Sequence, residues 1–245
     1  MNTRILIIVA GLMLCVPICA AQDEAVAEAM AGLKAGQKGR ISADQIHFIK
    51  LLGEKWESAD EKQKKAIHSL AKKNLKSRDK DVRQTTVEAL PKMKGGKKDK
   101  WGDSATKLLV PLIKLKTTEN DVTYFGIVLD SIGLIGHKRG IQPLTKLLKY
   151  KDFDVVAAAG LALRHYKDSD IKQKKEIVKE ILKMYSSIDG QARDPRNTTA
   201  QRRYAKITKP FETSLKALTG VKDITNAPNW QRWWNNTGKK AKSWG

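Results

Sequence analysis

Four histidines, His47, His68, His137 and His165, are the side chains best suited to metal ligation or to proton transfer near neutral pH. Each stands alone, with no ligand partner at the i+4 spacing of a helical zinc site, and each reads as a surface or boundary residue. No metal site is expected. A nucleophile elbow of the form Gly-x-Ser-x-Gly, a phosphate loop of the form Gly-x-x-x-x-Gly-Lys and a dinucleotide fingerprint are all missing from the sequence. Gly133, Gly136 and Gly140 have the wrong spacing for the last of these and read as helix C-terminal residues in a turn. The expectation is a protein with no catalytic, cofactor-binding or metal-ligating residues, and so not an enzyme.

Two other groups remain. Trp230, Trp233 and Trp234 lie at i, i+3 and i+4, so a helix places all three on one face. They suit either an aromatic platform for a sugar or peptide, or a cap over the open apolar end of a helical stack. The cap is preferred, because indole burial supplies large area where a stack would otherwise expose its core. Basic residues form the second group. The chain carries 47 Lys plus Arg against 26 Asp plus Glu, a formal charge of +21, which favours acidic surfaces or polymers. Residues 32–100 hold 19 basic and 9 acidic side chains and residues 171–245 hold 17 and 6, whereas residues 101–170 hold 10 and 8. The candidate polyanion contacts in these basic flanks are Lys72, Lys73, Lys76 and Arg78, then Arg193, Arg196, Arg202 and Arg203. Their bland alternative is a solvated helix face. Binding through such cations would be sensitive to salt and blind to sequence.

The elements that must position these residues begin after residue 21. Arg4, the apolar run Ile5–Ile18 interrupted by Pro17, and the small residues Ala20 and Ala21 have the form of a cleavable secretory signal. The run falls short of the roughly 20 apolar residues of a membrane span, and no later stretch reaches that length. Cleavage after Ala20 or Ala21 would remove Cys15 and Cys19, the only two cysteines, so the exported chain, periplasmic or secreted, holds no disulfide. Residues 22–41 then read as a flexible N-terminal segment, with a Gly-Lys joint at Gly36–Arg40.

From residue 42 the pattern is helical throughout. Ser42-Ala43-Asp44-Gln45, Ser58-Ala59-Asp60-Glu61 and Thr198-Thr199-Ala200-Gln201 each have the capping-box form. Apolar periodicity predicts hairpins over 59–76 with 81–93, and then with Leu108, Leu112, Val122, Phe125 and Leu129. A third hairpin carries Ile141, Leu144, Leu147, Val155, Ala158 and Ala162, and a fourth starts after Asp168-Ser169-Asp170. Lys94–Lys100 is a break, and Pro210 is expected to kink or end the helix it lies in. Three turns repeat one phrase: Asp81-Val82, Asp121-Val122 and Asp154-Val155, spaced 40 and then 33 residues apart. Pro111-Leu112 and Pro143-Leu144 repeat at 32, a second register in agreement with the first. Periods of this size belong to stacked helical hairpins. Asp81, Asp121 and Asp154 are read as structural caps of the helices that follow them.

The phrases Ile141-Gln142-Pro143-Leu144-Thr145-Lys146-Leu147-Leu148 and Asp154–Leu163, and Asp79-Lys80-Asp81-Val82-Arg83 before Ala89-Leu90, resemble HEAT-type repeats. In that family the aspartate caps the second helix, and an arginine often follows the valine. Arg83 keeps this place, whereas Thr123 and Val156 replace it in the other two phrases. Asp194-Pro195-Arg196, Leu218-Thr219-Gly220 and the Trp230-x-x-Trp233-Trp234 ending resemble a group of exported bacterial HEAT-repeat proteins, which lend no activity to this chain. The resemblance implies an all-α fold, an α-solenoid of about four HEAT-type helical hairpins with N- and C-terminal capping segments. Its domains would be the signal peptide 1–21, the flexible segment 22–41, the repeat domain 42–220, and a Trp-rich cap and basic tail 221–245.

The expected function is a non-catalytic protein-interaction scaffold of the cell envelope or extracellular space, acting as a monomer. Its working face would be the second helices, 81–93, 121–135 and 154–165. The alternative is a polyanion-binding envelope protein, for acidic polysaccharide or nucleic acid, that uses the basic ends. An enzyme comes third, because bilin lyases and a class of DNA glycosylases use related repeats.

Overall fold

The computed structural model describes residues 18–244, with side chains from residue 24 onward except at 97, 116 and 117. The expected signal segment lies outside the described residues as far as residue 17. All regular structure among the described residues is helical. The helices are α1 (Ile18–Gly39), α2 (Ser42–Glu54), α3 (Glu61–Asn74), α4 (Lys80–Ala89), α5 (Lys100–Leu109), α6 (Lys116–Glu119), α7 (Val122–Ile135), α8 (Ile141–Leu147), α9 (Phe153–Ala162), α10 (Ile171–Ala192), α11 (Thr198–Thr219) and α12 (Ala227–Trp233). None is long and apolar enough to cross a membrane. The chain forms two compact units, one ending at Thr86 and the other beginning at Val87, within α4.

In the first unit α1 packs on α2, on α3 and on the single 3-10 turn at Trp56–Ser58. Val26, Ala29 and Leu33 of α1 are buried at the spacing of one helical face, and they meet a core that includes Ile49, Leu52, Trp56, Ile67 and Leu70. That burial corrects the expectation of a flexible 22–41: the segment is helical through Gly39 because it carries its own apolar stripe. Its Gly-Lys joint contributes one tight turn, where Arg40 takes φ 55°.

The second unit is arranged in two rows. α7 packs on α9 and α9 on α11, while α8 packs on α10 and each row supports the other through α8 with α9 and α10 with α11. Close approach within the first of these rows depends on small residues. A Cβ on Gly133 of α7 would strike the carbonyl of Ala162, and one on Gly160 of α9 would strike the Phe211 ring. Ser214 of α11 donates to the Gly160 carbonyl at 2.6 Å inside this contact. Tyr185 of α10 stacks on Tyr204 and meets Phe211 edge-on, and its hydroxyl donates to Glu212.

Several local expectations change. Pro210 lies inside a continuous α11. The carbonyl that loses its donor belongs to the exposed Lys206, where water can serve it, and burial of Phe211, Leu215 and Leu218 holds the helix on both sides. Ser42 forms no capping box: the residue before α2 is Ile41, and Gln45 donates to the Gly36 carbonyl instead. The second box is displaced by two residues to Asp60 and Gln63, which exchange both bonds. The third helix start is capped by Asn197, not Thr198. The Lys94–Lys100 break is a tight loop in which Gly95, Gly96, Lys98 and Asp99 all have positive φ.

Candidate functional site

The aspartates of the repeated phrase occupy two different roles. Asp121 caps α7, accepting from the Tyr124 amide at 3.0 Å. Asp81 and Asp154 do not cap. Asp79 accepts from the amides of Asp81 and Val82, and Asp152 accepts from the amide of Asp154. In these two phrases an aspartate two places earlier reaches the free amides first, and the second aspartate is carried into the first helical turn. There Asp154 pairs with Lys206 of α11.

The histidines read as isolated have neighbours supplied by other helices. His165 lies 2.9 Å from Asp130 of α7 through Nε2, and Arg164 reaches the same carboxylate at 3.1 Å. The His165 hydrogen bond, with the Arg164 guanidinium nearby, holds the Asp130 carboxyl below the usual carboxylate range. No hydroxyl or thiol hydrogen-bonds His165 among the described residues, so the group links α7 to the end of α9 and lacks a nucleophile. His137 is 3.8 Å from Asp103 of α5, which also takes Lys107 and Arg139 at 2.6 Å each. Those two cations bring the Asp103 carboxyl down to about 2. A cleft of about 640 Å³ opens beside it, with Lys98, Lys100 and Lys138 on its walls. His68 is buried against Trp56, and His47 meets Phe48 edge-on. No group of three or more His, Cys, Asp or Glu could hold a metal ion among the described residues.

The three tryptophans differ in burial, although Trp230 meets Trp233 edge-on at 5.6 Å between ring centres. Trp230 is fully buried, with α12 seated on α10, whereas Trp233 and Trp234 are half-exposed. The helix passes into a π-helical segment at Trp234, and of the three indoles Trp230 alone is fully buried. Trp244 completes the cluster, 5.8 Å from Trp233 and 6.1 Å from Trp234 between ring centres.

All eight candidate polyanion contacts are exposed. Lys72, Lys73, Lys76 and Arg78 lie in the first unit on α3 and the turn after it, and none has an acidic partner among the described residues. In the second unit Arg193 is paired with Asp189, Arg196 with Asp194, and Arg203 lies 4.4 Å over the Phe153 ring.

Of the expected working face, 121–135 and 154–165 lie side by side as α7 and α9, joined by α11, while 81–93 runs across the boundary of the units. Along α7 the outward residues Thr123, Gly126, Ile127, Asp130 and Leu134 border a cleft of about 410 Å³, and a Cβ on Gly126 would meet nothing. Val122 and Leu134 are each 41% exposed. Ala157, Ala158 and Leu161 continue an apolar, half-exposed stripe on α9.

The groups that sequence reasoning missed are Asp103 with Arg139 and Asp130 with Arg164 and His165. Their separations are 36, 34 and 35 residues, near the period of the repeated phrases, and that period was the signal available.

No protein-family model matches this chain, and no curated protein matches it. Among solved structures it is similar to an engineered protein determined by the Northeast Structural Genomics Consortium, at 19% identity and a TM-score of 0.42, over 86% of this chain and 90% of that one. A second engineered protein from the same consortium is similar at 19% identity and a TM-score of 0.41, over 90% of this chain and 58% of that one.

Proposed function

We propose that the protein is a non-catalytic interaction scaffold of the cell envelope or extracellular space, a HEAT-type α-solenoid of about four hairpins delivered by an N-terminal secretory signal. The observation that carries this reading is the open face of α7 and α9. Two neighbouring helices leave Val122, Ile127, Leu134 and Leu161 at least partly exposed, and Asp130, on the same outward side of α7, is tied to Arg164 and His165 of the neighbouring segment. An apolar surface whose two helices are cross-linked by a polar group suits a rigid platform for another protein, since preorganised surfaces lose little entropy on binding. The test is a pull-down from the native envelope at about 0.5 M salt, where screening removes loose ionic contacts. The parent should recover a defined partner, and Leu134→Glu with Leu161→Glu should lose it while keeping the parent's melting temperature. Equal recovery by the charged variant would remove this face from the function.

A second reading, binding of an acidic polymer, is favoured by the four exposed cations Lys72, Lys73, Lys76 and Arg78, which have no acidic partner among the described residues.

A further inference from the structure

In the first unit the end of α1, the start of α2 and the turn after α3 enclose a cleft of about 530 Å³. Arg40, Lys73 and Arg78 stand on its walls, and Asn74 lines it with 1% of its surface exposed. The Asn74 amide nitrogen has no hydrogen-bond partner among the described residues. Its orientation follows from its neighbours. Gln37 Nε2 donates to the Leu70 carbonyl at 3.0 Å and to Asn74 Oδ1 at 2.6 Å. A carbonyl can only accept, so the Gln37 nitrogen must face it, and the Asn74 oxygen must then face Gln37. That leaves a buried N–H donor at a cleft walled by cations. An unmet buried donor is costly, and an acceptor entering the cleft would relieve it.

The single acid on the wall, Asp79, is already engaged. It accepts from the amides of Asp81 and Val82, and its carboxyl is held below the usual range chiefly by a hydrogen bond from Ser42. Arg83 donates to the carbonyls of Ser77 and Arg78, which fixes the turn that carries Arg78. Arg40 occupies the left-handed region at φ 55°, where glycine or asparagine is the ordinary residue after a helix. The chain therefore keeps a guanidinium on the rim at a conformational cost.

We infer that this cleft binds a doubly charged tetrahedral oxyanion, a phosphate group, with Arg40, Lys73 and Arg78 supplying charge and the Asn74 amide supplying the directed donor. Three cations less one carboxylate leave two positive charges to match a dianion, and guanidinium groups match the spacing of phosphate oxygens. The volume admits a small organic phosphate as readily as the free ion.

The test uses the full chain at about pH 8, where a phosphate monoester is dianionic. Inorganic phosphate and a hexose 6-phosphate are titrated by calorimetry, and the Asn74 side-chain amide is followed by NMR. Saturable binding should move that resonance. Lys73→Gln should weaken binding about tenfold, the share of one charged hydrogen bond. Lys72→Gln, the same charge removed one residue away, should change it less than about twofold. Arg40→Gly should melt at a higher temperature than the parent yet bind more weakly, a combination that a purely structural role for Arg40 would not produce. Tighter binding of the ester identifies an organic phosphate as the ligand, and equal binding identifies the free ion. The inference fails if the Asn74 resonance stays fixed up to about 10 mM phosphate. It fails equally if Lys72→Gln matches Lys73→Gln, or if Arg40→Gly binds like the parent.

Discussion

At the scale of the residue, the aspartates show how a repeated phrase can conserve a shape while shifting the atom that makes it. Asp79 and Asp152 receive the free amides of their helices, whereas in the middle phrase Asp121 does so. Asp79→Ala, Asp121→Ala and Asp152→Ala should each cost about 1 kcal/mol in urea unfolding. Asp81→Ala and Asp154→Ala should cost a few tenths, the loss of a first-turn charge and, for Asp154, of an exposed pair with Lys206. The opposite ranking would return the capping role to the second aspartate. Asp103 is testable by pH. Its carboxyl is held near 2 when folded, against 3.8 for the free group, through Lys107 and Arg139. A depressed folded value means that its contribution is complete above about pH 4 and is lost as pH falls through 2. Between those limits the parent should lose more thermal stability than Asp103→Asn, and parallel melting curves would show that the ion pairs do not act on stability.

At the scale of the element, the row formed by α7, α9 and α11 rests on glycines whose exchange should give unequal results. Gly133→Ala forces a methyl against the Ala162 carbonyl and should destabilise by about 2 kcal/mol. Gly126→Ala, on the same helix but over open space, should be neutral or stabilising by up to about 1 kcal/mol. Equal losses would mean that the α7–α9 contact is looser than its geometry. The helices themselves were legible in the sequence because apolar period and turn residues are local properties: α3, α7, α9 and α10 begin within about two residues of their expected starts. What depended on partners from distant segments was not legible. Val26 and Leu33 become a core stripe only when α2 and α3 are present to cover them, so 22–41 looked flexible. Asp130 and His165 looked unrelated because each sits polar and alone in its own helix, 35 residues apart. The Asn74 cleft was hidden for the same reason, since its donor lacks a partner only once Gln37 has taken the oxygen.

At the scale of the whole molecule, the charge of +21 is the property that most constrains what the surface will meet, and it is unevenly available. Arg193 and Arg196 each face a carboxylate of their own neighbourhood, so a passing polyanion meets a pair with much of its field cancelled. Lys72 and Lys76 are exposed, have no acidic partner among the described residues, and lie one turn apart on the surface of α3 and the residues that follow it. Composition alone ranks the two basic flanks as equals, whereas pairing leaves the first with less of its charge cancelled. On immobilised heparin the chain should elute only in added salt. Lys72→Ala with Lys76→Ala should lower the eluting salt clearly more than Arg193→Ala with Arg196→Ala, because only the first pair releases its full set of counterions. Both double variants spare the lining of the Asn74 cleft, so the result reports on the polymer and not on a small oxyanion. If the arginine pair matters more, the ion pairs to Asp189 and Asp194 open on contact with the polymer, and the C-terminal flank becomes the better place to look for an acidic partner.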